Sequence, residues 1–276
     1  MAKMSIGNIF KCLFHIIITL AKSFCIVYTK SCEERTKGEF MAIYDIAGLK
    51  VNIVNPKGRT AKQAMPYLSD NQDENQHIDI TVDVDEKRVL SAMAEHPELV
   101  QDDWEYMITG SDFYTELLNF DGILLHSSCI VVDDMAYAFS ADSGTGKSTH
   151  TQLWLKHFGD RAYMLNDDKP AIRLIDGIVY ACGTPWSGKY DYSTPKVVPL
   201  AGICFLERSE NNWIKKADTG KAVFNIFSQT VRKLNAQRMD NLFDVLEQIF
   251  AKVPLYEFGC DISEEALLTS YNAMKR

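Results

Sequence analysis

Gly146, Lys147 and Ser148 stand together in the stretch Ala138 to Leu153, AFSADSGTGKSTHTQL. This stretch nearly fits the phosphate-binding pattern G-x-x-x-x-G-K-[ST], with Ala141 in the place of the first glycine. Gly144 and Gly146 allow a turn whose backbone N–H groups point inward and make a nest for an anion. A helix starting there adds the partial positive charge of its N-terminus. Lys147 supplies a mobile full charge for outer phosphates, and the Ser148 hydroxyl can ligate Mg²⁺. Alanine is the least intrusive replacement for the missing glycine. The bland alternative is a glycine-rich strand–helix turn, because G-K-S is a common tripeptide. The apolar strand before the loop and the helical THTQLWLKHF after it favour nucleotide phosphate.

A phosphate cradle alone does not transfer anything: a metal ligand and a group for the attacking nucleophile are needed as well. Asp167 and Asp168 end a short apolar strand that follows the phosphate-loop helix. In a parallel sheet that strand end lies beside the loop, at the ligand-binding edge. One carboxylate can hold Mg²⁺ and the other can take a proton, provided the chain bends there, since adjacent strand residues face opposite ways. A solvated Asn-Asp-Asp-Lys-Pro turn is the alternative. His126 falls inside the apolar run LLHSSCIVV, where a histidine is as often a satisfied structural residue as a functional one. His150, on the first helical turn after the loop, is read as packing.

The elements that must position these groups follow from periodicity and turn chemistry. Phe40 to Val54 alternates as a hairpin turning at Ala47-Gly48, and Asn55-Pro56-Lys57-Gly58 ends it. Ile78 to Val84 reads as a strand, and Glu86 to Ala94 and Trp104 to Leu118 as helices. Ile123 to Val132 is a strong β run, Asp133-Asp134 a hairpin turn, and Met135 to Phe139 the strand feeding the loop. Tyr163 to Leu165 is the strand before the paired aspartates. Asp176-Gly177 marks a further hairpin. Gly183 to Lys189 is a loop and Val198 to Leu206 a buried strand. Helices are expected over Lys221 to Thr230, Arg238 to Ala251 and Ser263 to Met274, with a strand over Pro254 to Phe258.

Composition narrows the class. The chain has 276 residues, 46% hydrophobic and 24% charged, which suits a globular protein with one large domain and a smaller lobe. A net charge of -8 argues against nucleic acid as main partner. Seven widely spaced cysteines without a C-x-x-C pair read as reduced thiols in a cytoplasmic protein. The N-terminus is apolar, but its uncharged run between Lys11 and Lys22 is ten residues, short of the ~20 that a spanning helix needs. Residues 1–38 are therefore read as a leader or a peripheral helix, the only part expected to touch a membrane.

The block from His126 through DSGTGKST to Asp167-Asp168 resembles the C-terminal kinase domain of HPr kinase/phosphorylase, and its loop is similar to that of phosphoenolpyruvate carboxykinases, which share that fold. The resemblance covers roughly Gly122 to Leu174. It implies that Ser143, Gly144, Thr145, Gly146, Lys147, Ser148 and Thr149 cradle the phosphates of ATP, with Mg²⁺ on Ser148 and Asp168. It also implies that Asp167 is the base for a hydroxyl, with His126 near it and Lys147 assisting catalysis. The family's Arg-Gly signature loop has no match; Gly183 to Lys189 takes its place, so the family's own protein substrate is not implied.

The expected architecture is α/β: a mixed sheet flanked by helices over residues 121–276, preceded by a small α+β lobe over 39–120. The expected activity is ATP-dependent phosphate transfer to a hydroxyl of a protein, peptide or small molecule. Two alternatives stay open, a nucleotide-binding regulatory protein without turnover and a carboxykinase-like lyase. A homo-oligomer is allowed.

Overall fold

Strand β6 (Met135–Ser140) shows how the sequence builds the molecule. Its residues alternate small and aromatic, so Ala136 and Ala138 face one core while Tyr137 and Phe139 face another. The computed structural model describes residues 41–275 except 74, 84, 189 and 231–233; the leader expected over 1–38 lies outside the described residues. Among the described residues no helix is long and apolar enough to cross a membrane.

The protein is α/β, a large mixed sheet flanked by helices. β1 (Met41–Ile46) and β2 (Leu49–Val54) form the expected hairpin through Ala47 and Gly48, both at positive φ. β3 (Ile80–Asp83) adds to β2 in parallel and completes a three-stranded sheet. Around it lie α1 (Gly58–Ala64), α2 (Glu86–Glu95) and α3 (Gln101–Leu117). The sequence reading stopped at the Asn55–Gly58 turn and missed α1. Gly58 has φ +46, and a Cβ there would sit 1.7 Å from the Asp102 carboxylate.

Among the described residues the larger sheet contains nine strands. β4 (Gly122–Leu124), β5 (Ser127–Val132), β6, β7 (Ala162–Asn166), β8 (Ala171–Ile175), β9 (Ile178–Cys182) and β10 (Val197–Arg208) lie in the order β4-β8-β9-β10-β6-β5-β7. β11 (Trp213–Lys216), which the sequence reading missed, pairs with β12 (Leu255–Cys260), and β12 runs parallel to β10. α4 (Lys147–Phe158), α5 (Thr219–Ser228), α6 (Ala236–Lys252) and α7 (Glu264–Met274) cover the faces. α6 presents Leu242, Val245, Leu246 and Ile249 as a buried stripe at helical spacing.

The single β run expected over Ile123–Val132 is two strands. Between them, the Leu125 and His126 N–H groups donate to Pro170 O and Gln229 O, outside either ladder. His126 is therefore in a break between strands, and β4 and β5 sit at different places in the sheet.

Trp154 of α4 is fully buried against Tyr137, Phe139 and Tyr271 of α7. His150 belongs to the same cluster: Trp154 Nε1–H donates to its Nε2 at 3.1 Å, and Ser270 Oγ lies 3.0 Å from that nitrogen. Burial pushes its pKa down to about 4 from an ordinary 6.5. The unfolded chain takes up this proton below pH ~6.5 and the folded protein only below ~4, so stability falls as pH drops through that window, by about 3 kcal/mol at most. Chemical denaturation between pH 7 and 4 should show this acid limb in the wild type and a shallower one in His150→Gln. Equal slopes would mean that His150 is not the group responsible.

Candidate functional site

β6 delivers the chain into the loop 141–146. Gly144 (φ +79) and Gly146 (φ +125) adopt conformations that L side chains rarely take, although a Cβ at either would meet nothing within 4 Å. These glycines therefore serve the turn and not close packing. α4 starts at Lys147 with Gly146 as N-cap and no capping side chain, so its first N–H groups stay open for an anion. The Lys147 ammonium bonds the carbonyls of Ala141 (2.8 Å) and Asp142 (3.3 Å), within the loop itself. Burial holds its pKa below the ordinary lysine value, against the pull of Asp168, Asp142 and Asp167. At the loop's outer side, the Arg208 guanidinium donates to Gly144 O (2.6 Å) and Thr145 O (3.2 Å), which fixes those carbonyls outward.

β5 lies between β6 and β7 and is antiparallel to both, so β6 and β7 end at the same edge. That brings the end of β7 to the loop. The bend that paired aspartates require is supplied by Asn166: its Oδ1 accepts from Asp168 N (2.9 Å) and Lys169 N (2.7 Å), and its Nδ2 is held by Thr184. Asp167 Oδ1 accepts the Ser128 hydroxyl at 2.5 Å, and Ser128 Oγ is 2.7 Å from Thr151 Oγ1 of α4. Burial raises the Asp167 pKa, and hydrogen bonds from Ser128 and Ser148 hold it partly down.

Asp168 pairs with Lys169 and lies 3.5 Å from His126 Nε2. His126 Nδ1 faces Gln229 Oε1 at 2.7 Å, while Gln229 Nε2 donates to Asp142 Oδ1 at 3.1 Å. With the amide nitrogen committed to Asp142, the Gln229 oxygen takes the Nδ1 proton, and neutral His126 presents a lone pair at Nε2 to the carboxylate. Burial, then the Lys147 charge, lowers the His126 pKa and favours that neutral form. Two acceptors then face each other, an arrangement that suits a hydroxyl proton or a cation between them. His126 thus meets Asp168, not Asp167.

Lys147, Ser148, Asp167, Asp168 and His126 line one cavity of about 630 Å³, together with Ser143, Gly144, Gly146 and Thr149. Thr145 lines a second cleft of about 560 Å³ on the other side of the loop, with Arg208 and Ile262.

No family model and no curated protein matches the chain. Among solved structures it is similar to the HPr(Ser) kinase/phosphatase from Coxiella burnetii, at 11% identity and a TM-score of 0.33, over 54% of this chain and 95% of that one.

The N-terminal elements frame the cavity's far wall. Gly188 N donates to Tyr106 OH (2.9 Å) and Gln63 Nε2 donates to Gly188 O (3.0 Å); Tyr114 OH bonds Lys169 O. Gly188, at φ +76, sits so close to Asp168 that a Cβ would be 3.0 Å from that residue's Cβ. Arg59 stacks 3.9 Å over the Tyr106 ring and lines the same cavity. The sequence reading missed Ser128, Gln229, Arg59, Tyr106 and Arg208. For Ser128 a signal existed, a hydroxyl pair (Ser127-Ser128) inside an otherwise apolar strand; the others come from distant segments with no motif of their own.

The donor set fits Mg²⁺. Among the described residues no three His, Cys, Asp or Glu side chains gather as a metal cluster. One hydroxyl and one or two carboxylates, with phosphates completing the shell, is the kind of site Mg²⁺ uses.

Proposed function

We propose that the protein is a P-loop phosphotransferase, moving the terminal phosphate of ATP to a hydroxyl of a protein, peptide or small molecule. The observation that carries this reading is the meeting of the open N-terminus of α4 with the half-buried, hydrogen-bonded Asp167 on one cavity. The loop amides and Lys147 bind the phosphates. Ser148 and Asp168 would hold Mg²⁺, which supplies charge neutralisation on the phosphate oxygens. Asp167 orients the acceptor hydroxyl and takes its proton; a carboxylate raised by burial is better matched to that task than a solvated one. The second cleft, with room for a nucleoside, would take the base and ribose.

The test is Lys147→Ala. Removing the ammonium should weaken Mg-ATP binding by ~1.5–3 kcal/mol, the value of a charge-assisted contact, which is roughly 10- to 150-fold in dissociation constant. Calorimetry on both proteins decides it. Equal affinities, or no binding by the wild type, would remove the phosphate-loop reading.

A further inference from the structure

We propose that Ser128 is a positioning residue for this reaction: its buried hydroxyl fixes the Asp167 carboxylate through Oδ1 and ties it to the phosphate-binding helix. The inference rests on the function proposed above and deepens it.

Ser128 and Thr151 are both fully buried. Each hydroxyl carries one proton, and an ionised carboxylate can only accept. Ser128 O–H therefore donates to Asp167 Oδ1 at 2.5 Å. Its oxygen is left to accept from Thr151 Oγ1, 2.7 Å away. Thr151 Oγ1 has alternatives within its own helix, Ser148 O at 3.1 Å and Lys147 O at 3.3 Å. The chain of contacts thus runs from the end of β7, across β5, to α4. Lys147 and Ser148, which open α4, are the residues that would meet the phosphates.

All six residues of β5 are buried. A hydroxyl in such a strand is costly without a partner, and a small apolar residue would fill the position at no such cost. Ser128 spends its only proton on Asp167. The effect is geometric. With Oδ1 held by Ser128, the turning of the carboxylate about its Cβ–Cγ bond is restrained, and in the proposed reaction Oδ2 is the oxygen that meets the acceptor. In the transfer, the acceptor oxygen forms a bond to the terminal phosphorus. The bond from that phosphorus to its bridging oxygen breaks, and the nucleoside diphosphate leaves with the electron pair. The acceptor's proton passes to Oδ2. Without Ser128 the carboxylate keeps only the Ser148 hydroxyl of α4 as a side-chain partner, and a misplacement of about 1 Å can cost on the order of 10²-fold in rate.

The experiment uses the full chain and needs no identified acceptor, because water can take the acceptor's place. Mg-ATP affinity by calorimetry and hydrolysis at saturating Mg-ATP are measured for the wild type, Ser128→Ala and Ser128→Thr, with thermal melts to establish that all are folded. Ser128→Ala should hydrolyse about 10- to 100-fold more slowly while its affinity stays within about twofold, since Thr151 falls back on its helix carbonyls. Ser128→Thr carries the same donor and should recover most of the rate. A Ser128→Ala protein that turns over like the wild type overturns the inference alone. So does a loss of affinity and turnover in equal proportion, which would make the hydroxyl part of the phosphate site. A folded Ser128→Thr no faster than Ser128→Ala also overturns it, because volume and not the donor would then matter. A wild type that neither binds nor hydrolyses Mg-ATP overturns the proposed function and this inference with it.

Discussion

Asp167→Asn is expected to leave Mg-ATP affinity nearly intact and to cut phosphate transfer by ~10²–10⁴, the span for losing general-base help. The substitution is conservative in shape. The Asn Oδ1 can still accept the Ser128 hydroxyl that now sits 2.5 Å from Asp167 Oδ1, so the end of β7 keeps its anchor. What is lost is the ability to take a proton. Asp168→Asn should fail in another way. Its carboxylate lies beside His126 Nε2 at 3.5 Å and next to Gly188, and in the proposed site it assists the metal. More Mg²⁺ should be needed for half-maximal activity, with a smaller loss at saturation. His126→Ala acts on Asp168 through that same contact and should shift the Mg²⁺ requirement in the same direction, less strongly. The measurement is single-turnover transfer from labelled ATP, with hydrolysis as surrogate, over a Mg²⁺ series. If Asp167→Asn turns over normally at saturating Mg²⁺, the base assignment is wrong. If both aspartate variants abolish nucleotide binding alike, the pair is one metal site.

Motif and periodicity made the frame of the site legible in the sequence. Gly144, Gly146 and Lys147 mark a strand–loop–helix, and that is where β6, the turn and α4 lie. The pairing of β7 with β5 was not legible, because register and neighbours are set by contacts between distant segments. Only the fold shows that β5 lies between β6 and β7 and so aligns their ends. The break at Leu125-His126 was hidden for a similar reason. LLHSSCIVV reads as one β run, and what interrupts it are bonds to Pro170 and Gln229, far away in sequence. Asn166 could have been read as the bend, since an Asn before two Asp residues commonly bonds the backbone ahead of it. Arg59, Gln63 and Tyr106 carried no local signal at all: nothing in a seven-residue helix after a turn, or in the first turns of α3, indicates that Gln63 and Tyr106 reach the loop that touches Asp168 or that Arg59 lines the same cavity.

That loop makes the last prediction. Trp186 lies in the Gly183–Lys189 segment, which the sequence predicts to be a loop, and it is 1% exposed. It stacks on Phe113 of α3 at 4.8 Å between centroids, meets Tyr114 edge-on at 5.7 Å, and donates through Nε1 to Thr109 Oγ1 at 3.3 Å. Gly110 makes room for it, since a Cβ there would come within 2.8 Å of the indole. Trp186→Ala should therefore destabilise the fold by ~3–5 kcal/mol, the cost of emptying a large aromatic site, or on the order of 10 °C in melting temperature for a protein of this size. Two residues along, Gly188 touches Asp168 and is held by Tyr106 and Gln63. Freed from α3, the segment should no longer brace Asp168, so the variant should also need more Mg²⁺ at temperatures where it is still folded. Trp186→Phe keeps the stacking surface and loses the indole N–H and some volume, and should fall between the two. Denaturant titration of the three proteins gives the stability order, and a Mg²⁺ series on the folded variants gives the second effect. A loss below ~1 kcal/mol for Trp186→Ala, small for any core truncation, would mean that the indole does not anchor the loop. A large loss with an unchanged Mg²⁺ requirement would mean that Asp168 is held without it, by Asn166, Lys169 and His126 alone.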